Sequence, residues 1–336
     1  MDVRQLFLDA SLKQEFLDRF TELSEQAQNQ IGGFEGLEGG PGIDDAAAVV
    51  DDISEGTYSS GRAPGIEAII ERFTRPVYLV QQSTFRPPGD TLPNSEEIQL
   101  RLEDARSRLE RVIPSAGRID LRHHRLDWVG TGWMVAPGIV ATNRHVAREF
   151  ASRGDNAFHF RQEFGSPPVK ATLDWRHEYQ CPEESLFRVQ DILSIEPERL
   201  PDLALLRVSS QGDDGEPQPP PISLMTRDEI DEGGVGSWIA VVGYPAYDSR
   251  NDAADQQRIF DGIYNVKRLA PGKVTAIAPG DMLDHDATTL GGNSGSVVID
   301  LESGKAMALH FGGIEGDRNS AIQAPYVEKA LAPFTD

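Results

Sequence analysis

Apolar and polar positions follow two different periods along this 336-residue chain. Near the front, Val3, Leu6, Phe7 and Ala10, then Phe16, Leu17, Phe20 and Leu23, recur at the spacing of one helix face. With Ser11 and Gln14 placed for a capping box, they predict one or two amphipathic helices over about 2–28. Residues 32–42 hold too many glycines to continue any element and predict a flexible linker. A further helix is expected from Ser95 to Ile113, with Ile98, Leu102, Ala105, Leu109 and Val112 on one face and Glu97/Arg101 and Asp104/Arg108 paired four apart on another. Pro114 ends it. Beyond that proline the texture changes to short β-branched and aromatic runs punctuated by Gly, Pro and Asp, which predicts an all-β sandwich or barrel. The expected strands are Thr131–Val135, Ile139–Thr142, Ala157–Arg161, Val169–Trp175, Leu186–Ile195, Leu203–Val208, Trp238–Val242, Lys273–Ile277, Ser296–Ile299 and Ala306–Phe311, ten to twelve in all. The run Pro217–Pro221, near the middle, suits a crossover between two β halves, and a short helix over Tyr326–Leu331 closes the chain.

The length suggests about two structural units at roughly 150 residues each, or one large β domain plus an extension. Apolar side chains make up 39% of the chain, enough with its 32 glycines for a globular core. A formal charge of −22 repels phosphate backbones and anionic head groups, so neither nucleic acid nor a membrane surface is an expected partner. Residues 1–60 carry 3 basic and 13 acidic side chains, whereas 61–114 balance at 8 and 8. The single cysteine, Cys181, excludes an internal disulfide, and the opening residues lack the basic and apolar stretches of a signal peptide. A reduced, cytoplasmic setting is the expectation. No window approaches the roughly 18 apolar residues of a bilayer-spanning helix.

Three segments carry chemistry. Thr142-Asn-Arg-His145-Val offers a base, Asp202-Leu-Ala-Leu-Leu a carboxylate, and Gly291-Gly292-Asn293-Ser294-Gly295-Ser296 a hydroxyl, the reactive residues lying 57 and 92 positions apart. A serine hydroxyl is a poor nucleophile at neutral pH, so a histidine must take its proton as it attacks. A buried carboxylate on the far ring nitrogen fixes the tautomer and stabilises the imidazolium. Glycines at 291, 292 and 295 allow a tight turn around Ser294 in which the Gly292 and Ser294 amides converge on an oxyanion.

These segments resemble those of the trypsin-like, chymotrypsin-fold serine peptidases, over about residues 115–336. The resemblance implies two packed antiparallel β-barrels, with residues 1–114 as a helical extension, and a catalytic triad of His145, Asp202 and Ser294 with Gly292 and Ser294 as oxyanion hole. It implies peptide-bond hydrolysis through an acyl-enzyme, with no cofactor or metal and a protein or peptide as substrate. Val297 and Arg144 depart from the usual proline and small or amide residue, and no Ile-Val-Gly-Gly start is present for activation by cleavage. Bacterial glutamyl endopeptidases carry Thr-Thr before the serine segment and His-Trp-Gly-Gly after it. This chain has Thr288-Thr289 and His310-Phe311-Gly312-Gly313. By that likeness Thr289, His310 and Gly312 line a pocket for an acidic side chain; alternatively, His310 is a strand residue satisfied by its neighbours.

His123, His124 and Asp127 do not suit a metal, because adjacent strand residues face opposite ways. His285, between Asp284 and Asp286, reads as a solvated turn, and Cys181 as an inert thiol. The helical front region either braces the barrels or binds a regulatory partner. Two rivals to a constitutive enzyme therefore stand, a latent partner-regulated protease and a non-catalytic peptide-binding scaffold.

Overall fold

The computed structural model describes residues 7, 13–14, 16–18, 20, 42–59, 77–86, 96–154, 157–162, 164–248, 253–278, 280–314 and 318–335. The linker expected at 32–42 lies outside them except for Gly42. So do most apolar positions of the first expected helices, but the described ones, Phe7, Phe16, Leu17 and Phe20, are helical. Phe7, Phe16 and Phe20 are buried in edge-to-face contact, with ring centroids 5.3 and 5.9 Å apart. Helix α1 (Ile43–Glu55) buries Ala46, Val49 and Val50 and is tied to the front of the chain by a Lys13–Asp51 ion pair.

Strands β1 (Tyr78–Gln81) and β2 (Thr84–Arg86) form a hairpin that sequence periodicity did not predict. Helix α2 (Glu96–Val112) is the expected one. Its face of Ile98, Leu102, Ala105 and Leu109 is fully buried, the three larger side chains each stabilising by about 1.5–3 kcal/mol. On its outer face Arg108 reaches Asp104 at 2.7 Å and donates through Nε to the Leu301 carbonyl at 2.9 Å.

The β region follows with fourteen strands among the described residues rather than ten to twelve, because several short polar strands have no apolar run to mark them. They begin with β3 (Ala116–Arg122), β4 (Trp128–Ala136) and β5 (Ile139–Thr142), the last two joined by Pro137-Gly138 with Gly138 at φ +72°. Helix α3 (Arg144–Phe150) leads into the small hairpin of β6 (Ala151–Arg153) and β7 (Phe158–Phe160). Strands β8 (Lys170–Asp174), β9 (Leu186–Ile195) and β10 (Ala204–Val208) complete a closed barrel in the order β10-β5-β4-β3-β8-β9. The proline run lies in the connection that follows. Next come α4 (Arg227–Gly233), β11 (Trp238–Gly243), α5 (Ala253–Phe260), β12 (Arg268–Ala278), β13 (Met282–His285), β14 (Val297–Asp300), β15 (Ala306–Ile314), β16 (Arg318–Gln323) and α6 (Ala324–Leu331). The order β11-β14-β15-β16-β13-β12 closes through β11–β12 pairing into a second six-stranded antiparallel barrel, and the β1–β2 hairpin extends β12.

Each barrel has its own apolar interior, and a third cluster joins them. It takes Trp133, Val135 and Leu205 from the first barrel, Val242, Leu269 and Ile299 from the second, and the buried face of α2. Lys267, fully buried, completes this seam with polar contacts. It donates to the carbonyls of Ile113 and Trp175 and to Glu178 Oε1, at 3.2, 2.7 and 3.2 Å. Among the described residues no helix is long and apolar enough to cross a membrane.

Candidate active site

Asn143, buried, stands just before α3, so His145 occupies the helix's first turn, where backbone N–H groups have no intrahelical acceptor. The His145 N–H donates instead to Asp202 Oδ1 at 3.0 Å, and its ring Nδ1 lies 2.5 Å from Asp202 Oδ2. Asn143 Nδ2 donates to the Asp202 carbonyl at 2.9 Å, so the loop before β10 is held to α3 through backbone and side chain together. The Asp202 side chain is 15% exposed, the imidazole 49%. Burial pushes the Asp202 carboxyl up, but bonds from the His145 ring and backbone, with Arg144 beside them, outweigh it and hold the group below the usual carboxylate range. An ionised Asp202 places the proton on His145 Nδ1 and leaves Nε2 as acceptor.

Arg144 sits at the centre of this arrangement. Its Nη1 donates to the carbonyls of Pro197, Leu200 and Pro201 at 3.0, 2.9 and 3.1 Å, and its Nε lies 3.8 Å from Asp202 Oδ1. Sequence reasoning noted this residue only as a departure. The one signal it offered was a charged side chain next to the histidine.

The Ser294 turn is fastened to both barrels. Thr131 of β4 donates its N–H to the Ser294 carbonyl at 2.9 Å and its hydroxyl to the Gly292 carbonyl at 3.1 Å. Gly295 donates to the His310 carbonyl, and His310 donates to that of Ser296, each at 2.9 Å. Two glycines are demanded by this geometry. Gly292 and Gly295 both have φ +86°, and a Cβ on Gly295 would fall 2.0 Å from the Thr131 carbonyl oxygen, one on Gly292 2.4 Å from Trp128. Among the described residues the N–H groups of Gly292 and Ser294 donate to no protein acceptor. His145 and Asp202 are thus in direct contact, whereas no hydrogen bond joins Ser294 Oγ to the His145 ring.

His310 is 2% exposed on β15, beside the serine turn, with Nδ1 3.2 Å from His285 Nε2. Burial first, then the neighbouring His285 and His145, push its imidazole well below the ordinary histidine range, so it is neutral near pH 7. Here the expectation for His285 is corrected. It is a fully buried strand residue, because β13 lies between β12 and β16. Thr289 Oγ1 donates to Asn319 Oδ1 at 2.7 Å, and Asn319 Nδ2 to the Ala287 carbonyl at 2.7 Å. Gly312 pairs with Ser320 across β15–β16. No hydrogen bond joins Thr289 to His310, and neither Asn319 nor the buried state of His285 was read from sequence.

Two minor readings also meet the structure. His123 and His124 fall in a turn after β3, His123 with φ +62°, rather than on a strand, and no group of metal-ligating side chains is present among the described residues. The Cys181 thiol is pushed up by burial and by Glu183, which disfavours the reactive thiolate.

The model of the trypsin-like peptidase domain matches residues 130–309, more than half of the chain. The chain belongs to that family. A probable serine protease of Lysobacter enzymogenes is 28% identical over 252 residues, which span 67% of this chain and 63% of that protein. The chain thus matches less than two thirds of the relative's length. Similar solved structures include a serine endoprotease from Yersinia pestis, 15% identical with a TM-score of 0.46 over 72% of this chain and 67% of that one. A Mycobacterium tuberculosis protease in an inactive form is 19% identical with a TM-score of 0.43, over 70% and 96%. The peptidase domain matched by the family model runs from β4 to β15 and contains His145, Asp202 and Ser294.

Proposed function

We propose that the chain is a serine endopeptidase in which His145, Asp202 and Ser294 form the catalytic triad. The observation that carries this is the 2.5 Å contact of His145 Nδ1 with an ionised Asp202, beside a serine turn whose two amide donors have no protein acceptor. In the reaction, Ser294 Oγ attacks the carbonyl carbon and His145 Nε2 takes the hydroxyl proton. The oxygen becomes an oxyanion held by the Gly292 and Ser294 N–H groups. As the C–N bond breaks, His145 returns the proton to the leaving amine, and water then hydrolyses the acyl-enzyme by the same steps. Asp202 stays ionised and stabilises the imidazolium.

Specificity for an acidic residue before the bond is the finer part of the proposal, with Thr289, His310 and Gly312 lining the pocket. A neutral His310 paired with His285 supports it chemically, since an arriving carboxylate favours taking up a proton there and converts the contact to a charge-assisted one. Residues 1–60, with their own aromatic contacts and acidic excess, are proposed as the regulatory or partner-binding part of the 1–114 extension.

The test is mass-spectrometric mapping of cleavages in a diverse peptide library, comparing the chain with Ser294→Ala. Cuts after Glu that vanish in the variant support mechanism and pocket together. Serine-dependent cuts after other residues overturn the pocket alone, and identical patterns in both samples overturn the mechanism.

A further inference from the structure

A cleft of about 570 Å³ opens on the first barrel between two walls, and each wall also carries part of the triad. One wall is α3 with the β6–β7 hairpin, and contributes Arg148 and Arg153; Arg161, immediately after β7, joins it. Arg148 follows His145 by three residues, about one helical turn. The other wall is the stretch after β9 that leads to Asp202, and contributes Glu196 and Glu198.

The charges in this cleft do not cancel. Arg148 is bound to Glu198 at 2.9 Å. Arg153 stands 5.9 Å from the Phe158 ring, and Arg161 donates only through Nε, to the Ala151 carbonyl at 3.1 Å. Among the described residues neither Arg153 nor Arg161 has a carboxylate partner. Among the described residues these two guanidiniums therefore lack an ion-pair partner, and the three lining arginines outnumber Glu196 and Glu198 on a chain of net charge −22. A guanidinium matches a carboxylate or a phosphate through paired N–H donors.

We propose that this cleft binds an anionic side chain of the peptide substrate at a position other than the residue preceding the cleaved bond, so that the enzyme selects acidic or phosphorylated segments. The inference rests on the endopeptidase reading for its substrate. The contact is solvent-exposed, so its effect is sensitive to salt.

The experiment uses one parent peptide with the residue before the bond held constant. Gln, Glu or phosphoserine is placed in turn at each flanking position. Turnover by the full chain is compared with that of Arg153→Gln/Arg161→Gln and of Arg153→Lys/Arg161→Lys, at low and at physiological salt. At the responsive position the charged peptide exceeds its Gln counterpart in kcat/KM by about fivefold at low salt, mainly through KM. That ratio falls to about one in the double Gln variant and is partly kept in the double Lys variant. A phosphoserine advantage over Glu assigns the site to phosphate, and equality assigns it to carboxylates. A ratio near one at every position, or one that survives the double Gln variant, overturns the proposal. Fluorescence anisotropy of the labelled peptides with the Ser294→Ala chain reads the same contrast without turnover. Acidic peptides that bind no better than their Gln counterparts there overturn the cleft, whereas charge-selective binding without any serine-dependent cleavage overturns the endopeptidase reading and leaves the cleft standing.

Discussion

His310 makes stability depend on pH in a way that a single substitution isolates. Its imidazole is neutral in the folded chain because burial, His285 and His145 all oppose a proton there, while in the unfolded chain it titrates near its ordinary value of 6.5. Below that pH the unfolded state binds a proton that the folded state refuses, so unfolding becomes easier as pH falls. The limiting slope is about 1.4 kcal/mol per pH unit, and between pH 8 and pH 5 the loss reaches about 2 kcal/mol if the folded form stays neutral throughout. His310→Gln removes this titration and keeps a polar side chain beside His285. Denaturant unfolding of both proteins, followed from pH 8 to pH 5, should show the unsubstituted protein losing about 2 kcal/mol relative to the variant toward acid, whatever their offset at pH 8. Groups distant from His310 cancel in the difference. Parallel curves would show that His310 accepts a proton in the folded state and that its burial does not act as described.

Two other sites give expectations of comparable size. Asp202→Asn removes the carboxylate that fixes the His145 tautomer, and kcat on the best peptide from the library should fall about 10⁴-fold with little change in KM; a loss under tenfold would mean that Asp202 does not orient the base. Lys267→Met leaves Glu178, whose side chain is only 2% exposed, without its cation and should cost about 3–5 kcal/mol in denaturant unfolding, whereas the double change with Glu178→Gln should recover most of that loss; a double variant no better than the single one would show that the ion pair is not what the lysine supplies.

What could be read in advance divides along physical lines. Strands β4, β5 and β10 were legible because their apolar runs are largely buried, β9 because it is a long β-branched and apolar stretch that buries Phe187, Val189 and Ile192, and α2 because its one apolar face is the face it packs. The proposed triad was nominated because the chemistry admits few residue types, and the structure brings two of its members, His145 and Asp202, into contact. Strand β13 was not, since Met-Leu-Asp-His looks solvated until β12 and β16 flank it, and that contact is what buries His285. Arg144 was equally opaque. Its acceptors lie 53 to 57 residues ahead in the chain, so no local pattern reports them. The arginines of the cleft, at 148, 153 and 161, share no period either.

The β1–β2 hairpin shows why such features escape a local reading. Gln81 pairs with Thr84, so Gln82 and Ser83 form a two-residue turn, with φ of +54° and +59°. Asn-Gly suits such a turn, and Gln-Ser does not, so the sequence carries no hairpin signal there. The unfavourable backbone is held from a distance: Glu178 Oε2 accepts the Ser83 N–H at 2.8 Å, while its other oxygen is bound by buried Lys267. The Tyr179 N–H, next along the chain, donates to the Val80 carbonyl at 3.0 Å. A turn that is locally disfavoured is thus stabilised by a buried ion pair at the seam of the two barrels. Weakening that pair should loosen the hairpin along with the seam, which joins the residues before α2 energetically to the fold that carries the active site.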